Sequence, residues 1–205
     1  MNSLRAVDVS KAFASRVVLD CISCDLSSGS ITAIVGANGS GKSTLAKILS
    51  GLLRPDQGTV EFVVNGSAVE RTEIPSYCGY VAPYLTLYEE FTPVELMSLH
   101  GALHGARLAP ELVGDLLQRV GLGMRGDSRV KTFSSGMKQR LSLAIALSTE
   151  PPLLVLDEPS STLDEGGRSM LASEIRRSAE RGAIIVLATN DPREIELCQS
   201  VISVQ

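Results

Sequence analysis

The sequence predicts an α/β fold: a parallel sheet carrying a helical lobe and preceded by short strands. Three observations carry that expectation. Apolar runs of strand length alternate with segments of helical spacing, a glycine-rich loop joins one such run to an amphipathic helix, and residues 90–150 read as mostly helical between flanking strands. A chain of 205 residues fits one globular domain, expected here to span 1–205 with its helical lobe at about 85–150. Hydrophobic residues at 44% and charged residues at 20% suit a folded chain and not a disordered one.

In chain order, Leu4–Val9, Val17–Leu19 and Ile22–Leu26 read as short strands. Ile31–Val35 is an apolar run that ends at the loop Gly36–Gly41. Leu45, Ile48, Leu49 and Leu52 then follow helical spacing, with Gly51 marking the helix end. Thr59–Val64 and Ser67–Val69 flank Asn65-Gly66, a strong two-residue hairpin signal. Tyr80–Ala82 is a brief strand cut off by Pro83. Pro110 opens a helix with Leu112, Val113, Leu116, Leu117 and Val120 on one face, stopped by Gly121. A further helix spans Met137–Leu147, and a strand Leu153–Leu156 follows. The chain closes with a helix Arg168–Arg181, a strand Ile184–Ala188 and a helical turn near Arg193–Cys198.

The net charge of −4 provides no whole-molecule basic field for nucleic acid or an anionic membrane surface. No stretch approaches the roughly 18–20 uncharged apolar residues of a membrane-spanning helix, and the N-terminus lacks a signal-peptide core. A cytoplasmic chain without a nucleic-acid partner is expected. Of four cysteines, Cys21-x-x-Cys24 invites a metal or redox assignment. It lacks a second CxxC or CxxH to complete a tetrahedral site, so small apolar side chains in or beside a strand are expected instead.

Gly36-Ala37-Asn38-Gly39-Ser40-Gly41-Lys42-Ser43-Thr44 matches G-x-x-x-x-G-K-[ST] in full, between an apolar strand and an amphipathic helix. Gly36, Gly39 and Gly41 let the backbone turn its N–H groups inward around phosphate oxygens, and the helix aims its positive dipole end at them. Lys42 supplies a full charge, and the Ser43 hydroxyl is placed to bind magnesium. The loop alone indicates a nucleotide phosphate and leaves the machine open.

Leu153-Leu154-Val155-Leu156-Asp157-Glu158 is a buried strand ending in two carboxylates. Asp157 can hold the magnesium, directly or through water, and Glu158 can orient or deprotonate a water aimed at the γ-phosphate. An ordinary surface turn is the alternative for two acids considered alone.

Phe133-Ser134-Ser135-Gly136-Met137-Lys138-Gln139-Arg140 resembles the signature of ABC ATPases, usually written LSGGQ, with Phe for Leu, Ser135 for the first Gly and Met137 for the Gln. Ser134 also serves as a helix N-cap whatever the family. Its order, after the phosphate loop and before Asp157-Glu158, extends the resemblance over essentially the whole chain. The resemblance implies a RecA-like P-loop core, an N-terminal antiparallel β subdomain and a helical signature subdomain. It implies that Ser134, Ser135, Gly136 and Met137 touch ATP held by a second ATPase subunit, identical or different. Ser161-Thr162-Leu163-Asp164 resembles the loop by which two such sites communicate, giving roles to Ser161 and Asp164. Phe13 falls where the family stacks an aromatic on adenine, with a plain core Phe as the alternative. ATP and Mg2+ are the implied cofactors, and a location at the inner face of the cell membrane is implied. The length is similar to that of small bacterial importer or exporter ATPase subunits such as the haem-exporter type.

Two departures stand out. The family's glutamine after the hairpin strand aligns with Pro83, which has no polar side chain, and the family's switch histidine aligns with Asn190. Asn190 can donate to a γ-phosphate oxygen but carries no titratable proton. Slow hydrolysis is therefore expected, and a module that closes on ATP without useful turnover is the alternative. All four tyrosines, Tyr77, Tyr80, Tyr84 and Tyr88, surround Pro83. The family receives its membrane permease there, so Tyr84 and Tyr88 are expected at that interface, while Tyr77 and Tyr80 can instead be half-buried strand residues.

Overall fold

The computed structural model describes residues 1–83 and 85–205. The interface expectation at Tyr84 lies outside the described residues. Two sheets form the frame. The first is antiparallel, with strand order β2-β1-β4-β5, built from β1 (Ser3–Phe13), β2 (Arg16–Ser27), β4 (Gln57–Val64) and β5 (Ser67–Val69). The second is parallel, in the order β6-β7-β8-β3-β9, from β3 (Ile31–Val35), β6 (Cys78–Val81), β7 (Leu153–Asp157), β8 (Ile184–Ala188) and β9 (Ser200–Ser203). The helices are α1 (Lys42–Leu49), α2 (Pro93–Leu103), α3 (Pro110–Arg119), α4 (Ser135–Leu147), α5 (Glu165–Glu180) and the short α6 (Pro192–Ile195).

The apolar runs of β7 and β8 follow from burial on both faces. Leu153 and Val155 pack with Leu45, Ile48, Leu49 and Phe62, between the parallel sheet, α1 and the antiparallel sheet. Leu154 and Leu156 point the other way, into a cluster with Val113, Leu116, Leu141 and Leu147 of the helical lobe. Strand alternation thus divides one continuous run between two cores.

Several boundaries differ from the sequence expectation. The expected strands Val17–Leu19 and Ile22–Leu26 are one strand, β2, which passes through positive φ at Cys21 (49°) where the pairing with β1 shifts register. Cys21 is exposed and Cys24 half-buried, and both are free thiols. Leu52 lies outside α1 and is 53% exposed, because Gly51 at φ 77° ends the helix before it. α4 begins at Ser135 instead of Met137, and α5 begins at Glu165 instead of Arg168, each just after a capping side chain. β9 went unassigned because Ser-Val-Ile-Ser has no apolar run; it pairs with β3, where Thr32 and Ser200 hydroxyls meet at 2.7 Å. α2 falls within the stretch expected to be mostly helical, where the sequence sets no bounds for it. Its signal was Thr92-x-x-Glu95 around Pro93, a capping box in which Thr92 and Glu95 satisfy each other's backbone N–H groups.

The two histidines of the chain stack at the end of α2, ring centroids 4.2 Å apart. The Ser148 hydroxyl donates to Ile145 O at 2.7 Å, so His100 Nδ1, 3.2 Å away, carries the donated proton. Burial first, and His104 second, push the His100 pKa down to about 4. A histidine depressed in the fold keeps its neutral form there while the unfolded chain protonates near 6.5. Stability from this group is therefore complete above pH 6.5 and is lost as pH falls toward 4. The shift would correspond to about 3 kcal/mol if fully buried; partial exposure reduces this to roughly 1–2 kcal/mol. Thermal denaturation from pH 7 to pH 4 is expected to show a smaller loss of Tm in His100→Gln than in the parent. Parallel curves would remove His100 from the acid response.

Candidate functional site

The carboxyl ends of β3, β7 and β8 lie side by side, with Ile34 and Asp157 both registered against Ala188. Loops leaving this edge of a parallel sheet are where such folds bind ligands. β3 runs into the phosphate loop and β7 into Asp157-Glu158. Asn190 follows β8 by two residues.

The loop is tightly fitted. A Cβ on Gly36 would lie 2.2 Å from Val204 O and 2.5 Å from Ser40 Oγ. Gly41 caps α1 at φ 108°, and a side chain there would meet Val18 and Leu19. Lys42 is 6% exposed, and its ammonium donates to the carbonyls of Gly36 at 2.8 Å and Ala37 at 3.2 Å. The cation is thereby held against the loop by two of the loop's own carbonyls. Asn190 Oδ1 accepts from Gly36 N–H at 3.3 Å, tying the end of β8 to the same loop.

Phe13, Arg16, Val18, Asn38, Gly39, Gly41, Lys42, Ser43, Thr44 and Glu158 line one open cleft of about 320 Å³. Phe13 is 50% exposed at the end of β1, so a plain core position is excluded. The Lys11 ammonium lies 5.6 Å from its ring centroid. Arg16 reaches across the mouth to Gly39 O at 3.4 Å. Neither Arg16 nor Val18 belongs to a motif, and nothing in their local spacing marks them; only the β1–β2 hairpin brings them over the loop.

Asp157 is 2% exposed, and one carboxylate oxygen, Oδ2, is buried without a hydrogen-bond partner among the described residues. Burial foremost raises its pKa, aided by the charge of Glu158, against the Ser43 hydroxyl bond and the charges of Lys47 and Lys42. A buried carboxyl group with an orphaned oxygen, hydrogen-bonded to a hydroxyl, is an oxygen donor set suited to a hard divalent cation, so these residues fit magnesium. Glu158 is exposed and has φ 45°, with its N–H bonded to Ala188 O at 2.9 Å.

The remaining expected residues lie elsewhere in the chain. Ser134 caps α4 by accepting from Met137 N–H at 3.3 Å, leaving Ser135, Gly136 and Met137 at the helix head. These residues do not line the cleft, but Gly136 closely approaches the Thr162 carbonyl in the Ser161–Asp164 loop. Asp164 caps α5 through Gly167 N–H at 2.8 Å and pairs with Arg140 at 2.6 Å. The Gly167 bond first, and Arg140 after it, hold its pKa below the usual carboxylate range. Pro83 is exposed in a turn after β6. Tyr88 is 69% exposed and stacks obliquely on Phe91, whereas Tyr77 is 39% exposed and Tyr80 half-buried.

Comparison with known proteins gives a consistent picture. A family model described as ABC transporter matches residues 19–161. The daunorubicin resistance ATP-binding protein DrrA3 of Streptomyces coeruleorubidus is 34% identical over 196 residues, 95% of this chain and 62% of that protein. The Nod factor export ATP-binding protein I of Bradyrhizobium diazoefficiens is 36% identical over 199 residues, 94% of this chain and 64% of its own. The chain therefore spans less than two thirds of the length of these relatives. Among solved structures, an ATP-binding subunit of an ABC transporter superposes with TM-score 0.86 at 28% identity, covering 98% of this chain and 85% of that one. A dimeric ATP-binding cassette in a post-hydrolysis state with ADP and Pi superposes at 0.85 over 98% of this chain and 94% of that one; at 20% identity it shows the fold alone. Among the described residues, no helix is long and apolar enough to cross a membrane.

Proposed function

The chain belongs to the ABC transporter family, and we propose that it binds and hydrolyses ATP to energise a separate membrane permease. The observation that carries this proposal is the single cleft shared by the phosphate loop, Phe13 and Glu158, next to Asp157, which is bonded to Ser43 and keeps one buried oxygen without a partner. Gly36, Ala37, Asn38, Gly39, Ser40, Gly41, Lys42, Ser43 and Thr44 cradle the phosphates, and Phe13 offers its exposed ring to adenine. Ser43 and Asp157 hold magnesium, which neutralises phosphate charge. Glu158 positions and deprotonates the attacking water.

Two chains, identical or different, sandwich two nucleotides head to tail. Each ATP lies between Gly36–Thr44 of one chain and Ser134, Ser135, Gly136 and Met137 of the other, while Ser161 and Asp164 link the sites. In this scheme residues 1–205 act as one ATPase domain with a helical subdomain at about 85–150, peripheral at the inner face of the membrane. The permease docks around Tyr84–Tyr88, where the exposed Tyr88–Phe91 pair supplies an aromatic surface. Two relatives are named for export and for drug resistance, which favours export as the direction.

Steady-state phosphate release from the purified chain with ATP and magnesium tests the proposal. Slow turnover is expected, because Pro83 lacks the polar group the family uses beside the metal. A rate no higher than that of Glu158→Gln would instead establish a module that binds ATP without turning it over. Asn190→Ala removes the acceptor for Gly36 N–H and is expected to slow release by roughly two- to tenfold, the size of one hydrogen bond. Asn190→His is expected to hold or raise the rate. An unchanged rate in Asn190→Ala would take Asn190 out of the mechanism.

A further inference from the structure

We propose that Gln139 is a positioning residue for Glu158, setting the carboxylate through the carbonyl of Pro159; this rests on the ATPase function proposed above. Glu158 has φ 45°, a left-handed backbone that a residue with a side chain keeps only where its surroundings fix it. Pro159 makes the usual escape worse, since a residue before proline is disfavoured in the right-handed helical region. The structure supplies three restraints. Glu158 N–H donates to Ala188 O at 2.9 Å, and Glu158 O accepts from Ser161 N–H at 3.2 Å. The third restraint alone uses a side chain: Gln139 Nε2 donates to Pro159 O at 3.1 Å.

Gln139 is 8% exposed, and that carbonyl joins the buried residues Pro159 and Ser160. Loss of the donor leaves a buried carbonyl unpaired and frees the Pro159–Ser160 peptide, one residue beyond the carboxylate. Gln139 also sits on α4, whose head carries Ser134–Met137, and the next residue, Arg140, holds Asp164 at 2.6 Å. One helix therefore grips both ends of the segment 159–164.

The test uses the full chain with two substitutions. Gln139→Met keeps the length and removes the donor. It is expected to lower kcat about tenfold, the size of one hydrogen bond, with the affinity for a fluorescent ATP analogue changed less than about twofold. Gln139→Glu places a carboxylate against the carbonyl, and only its protonated form can donate. Burial raises such a carboxyl's pKa, so kcat of Gln139→Glu is expected to recover as pH falls from 8 to about 6, a limb absent from the parent. A parental kcat in Gln139→Met overturns the assignment while leaving the ATPase function standing. A loss of ATP affinity matching the loss of kcat, with no acid recovery in Gln139→Glu, reduces Gln139 to a packing role and also overturns it. A parent that releases no phosphate overturns both.

Discussion

Replacing Glu158 with glutamine is expected to lower ATP turnover by roughly 10²–10⁴-fold, the usual contribution of a positioned general base. The side chain projects into the cleft from a backbone with φ 45°, anchored by Ala188 O, so a glutamine occupies nearly the same space without a basic oxygen. Nucleotide affinity should survive, because the phosphate contacts belong to the loop and to Lys42. With hydrolysis blocked and ATP retained, two chains should remain closed. Size-exclusion chromatography with ATP and magnesium is expected to show a stable dimer for Glu158→Gln and a shorter-lived one for the parent. A variant that hydrolyses at the parental rate, or stays monomeric with ATP, would remove Glu158 from this role.

The second large effect is expected at Lys42. Its ammonium is 6% exposed and is held by two carbonyls of its own loop, so its position is set before any ligand arrives. A unit charge about 4 Å from a phosphate oxygen attracts it by roughly 4 kcal/mol at an effective dielectric near 20, before desolvation is subtracted. Hydrogen bonds to charged groups retain about 1.5–3 kcal/mol after that subtraction. Lys42→Ala is therefore expected to weaken ATP binding by roughly ten- to a hundredfold, a factor of ten for each 1.4 kcal/mol. The substitution also leaves the Gly36 and Ala37 carbonyls without their donor, which loosens the loop. Titration with a fluorescent ATP analogue measures the change, and circular dichroism confirms that the variant remains folded. Equal affinity in the two chains would overturn the phosphate-loop assignment.

Asp157 links the two effects. Buried with an unpartnered oxygen, and with burial raising its pKa, its carboxylate carries an electrostatic cost on ionising that a divalent cation beside Ser43 would offset. Metal and nucleotide should therefore bind more tightly together than either does alone.

The amino-acid sequence by itself determined what is local. Gly36–Thr44 could be read because a loop that turns its N–H groups inward needs glycine at fixed offsets. The runs of β3, β7 and β8 could be read because strands buried on both faces strongly favour apolar side chains. The helices of the lobe were legible where apolar residues recur with helical spacing, as at Val113, Leu116 and Leu117, whereas the bounds of α2, marked only by its Thr92–Glu95 capping box, were not. Tertiary structure alone decided which of these segments meet. Periodicity says which face is buried and not what lies against it. Phe13 and Glu158, separated by most of the chain, share a cleft only because the β1–β2 hairpin folds over the loop at the carboxyl edge of the parallel sheet. Arg16 joins them without any motif, and β9, whose serines carry no apolar pattern, is held by pairing with β3. The bond from Gln139 to Pro159 O and the orphaned oxygen of Asp157 belong to the same class. Each depends on a donor, or the lack of one, brought into place by packing between elements, and no spacing within a single segment encodes that.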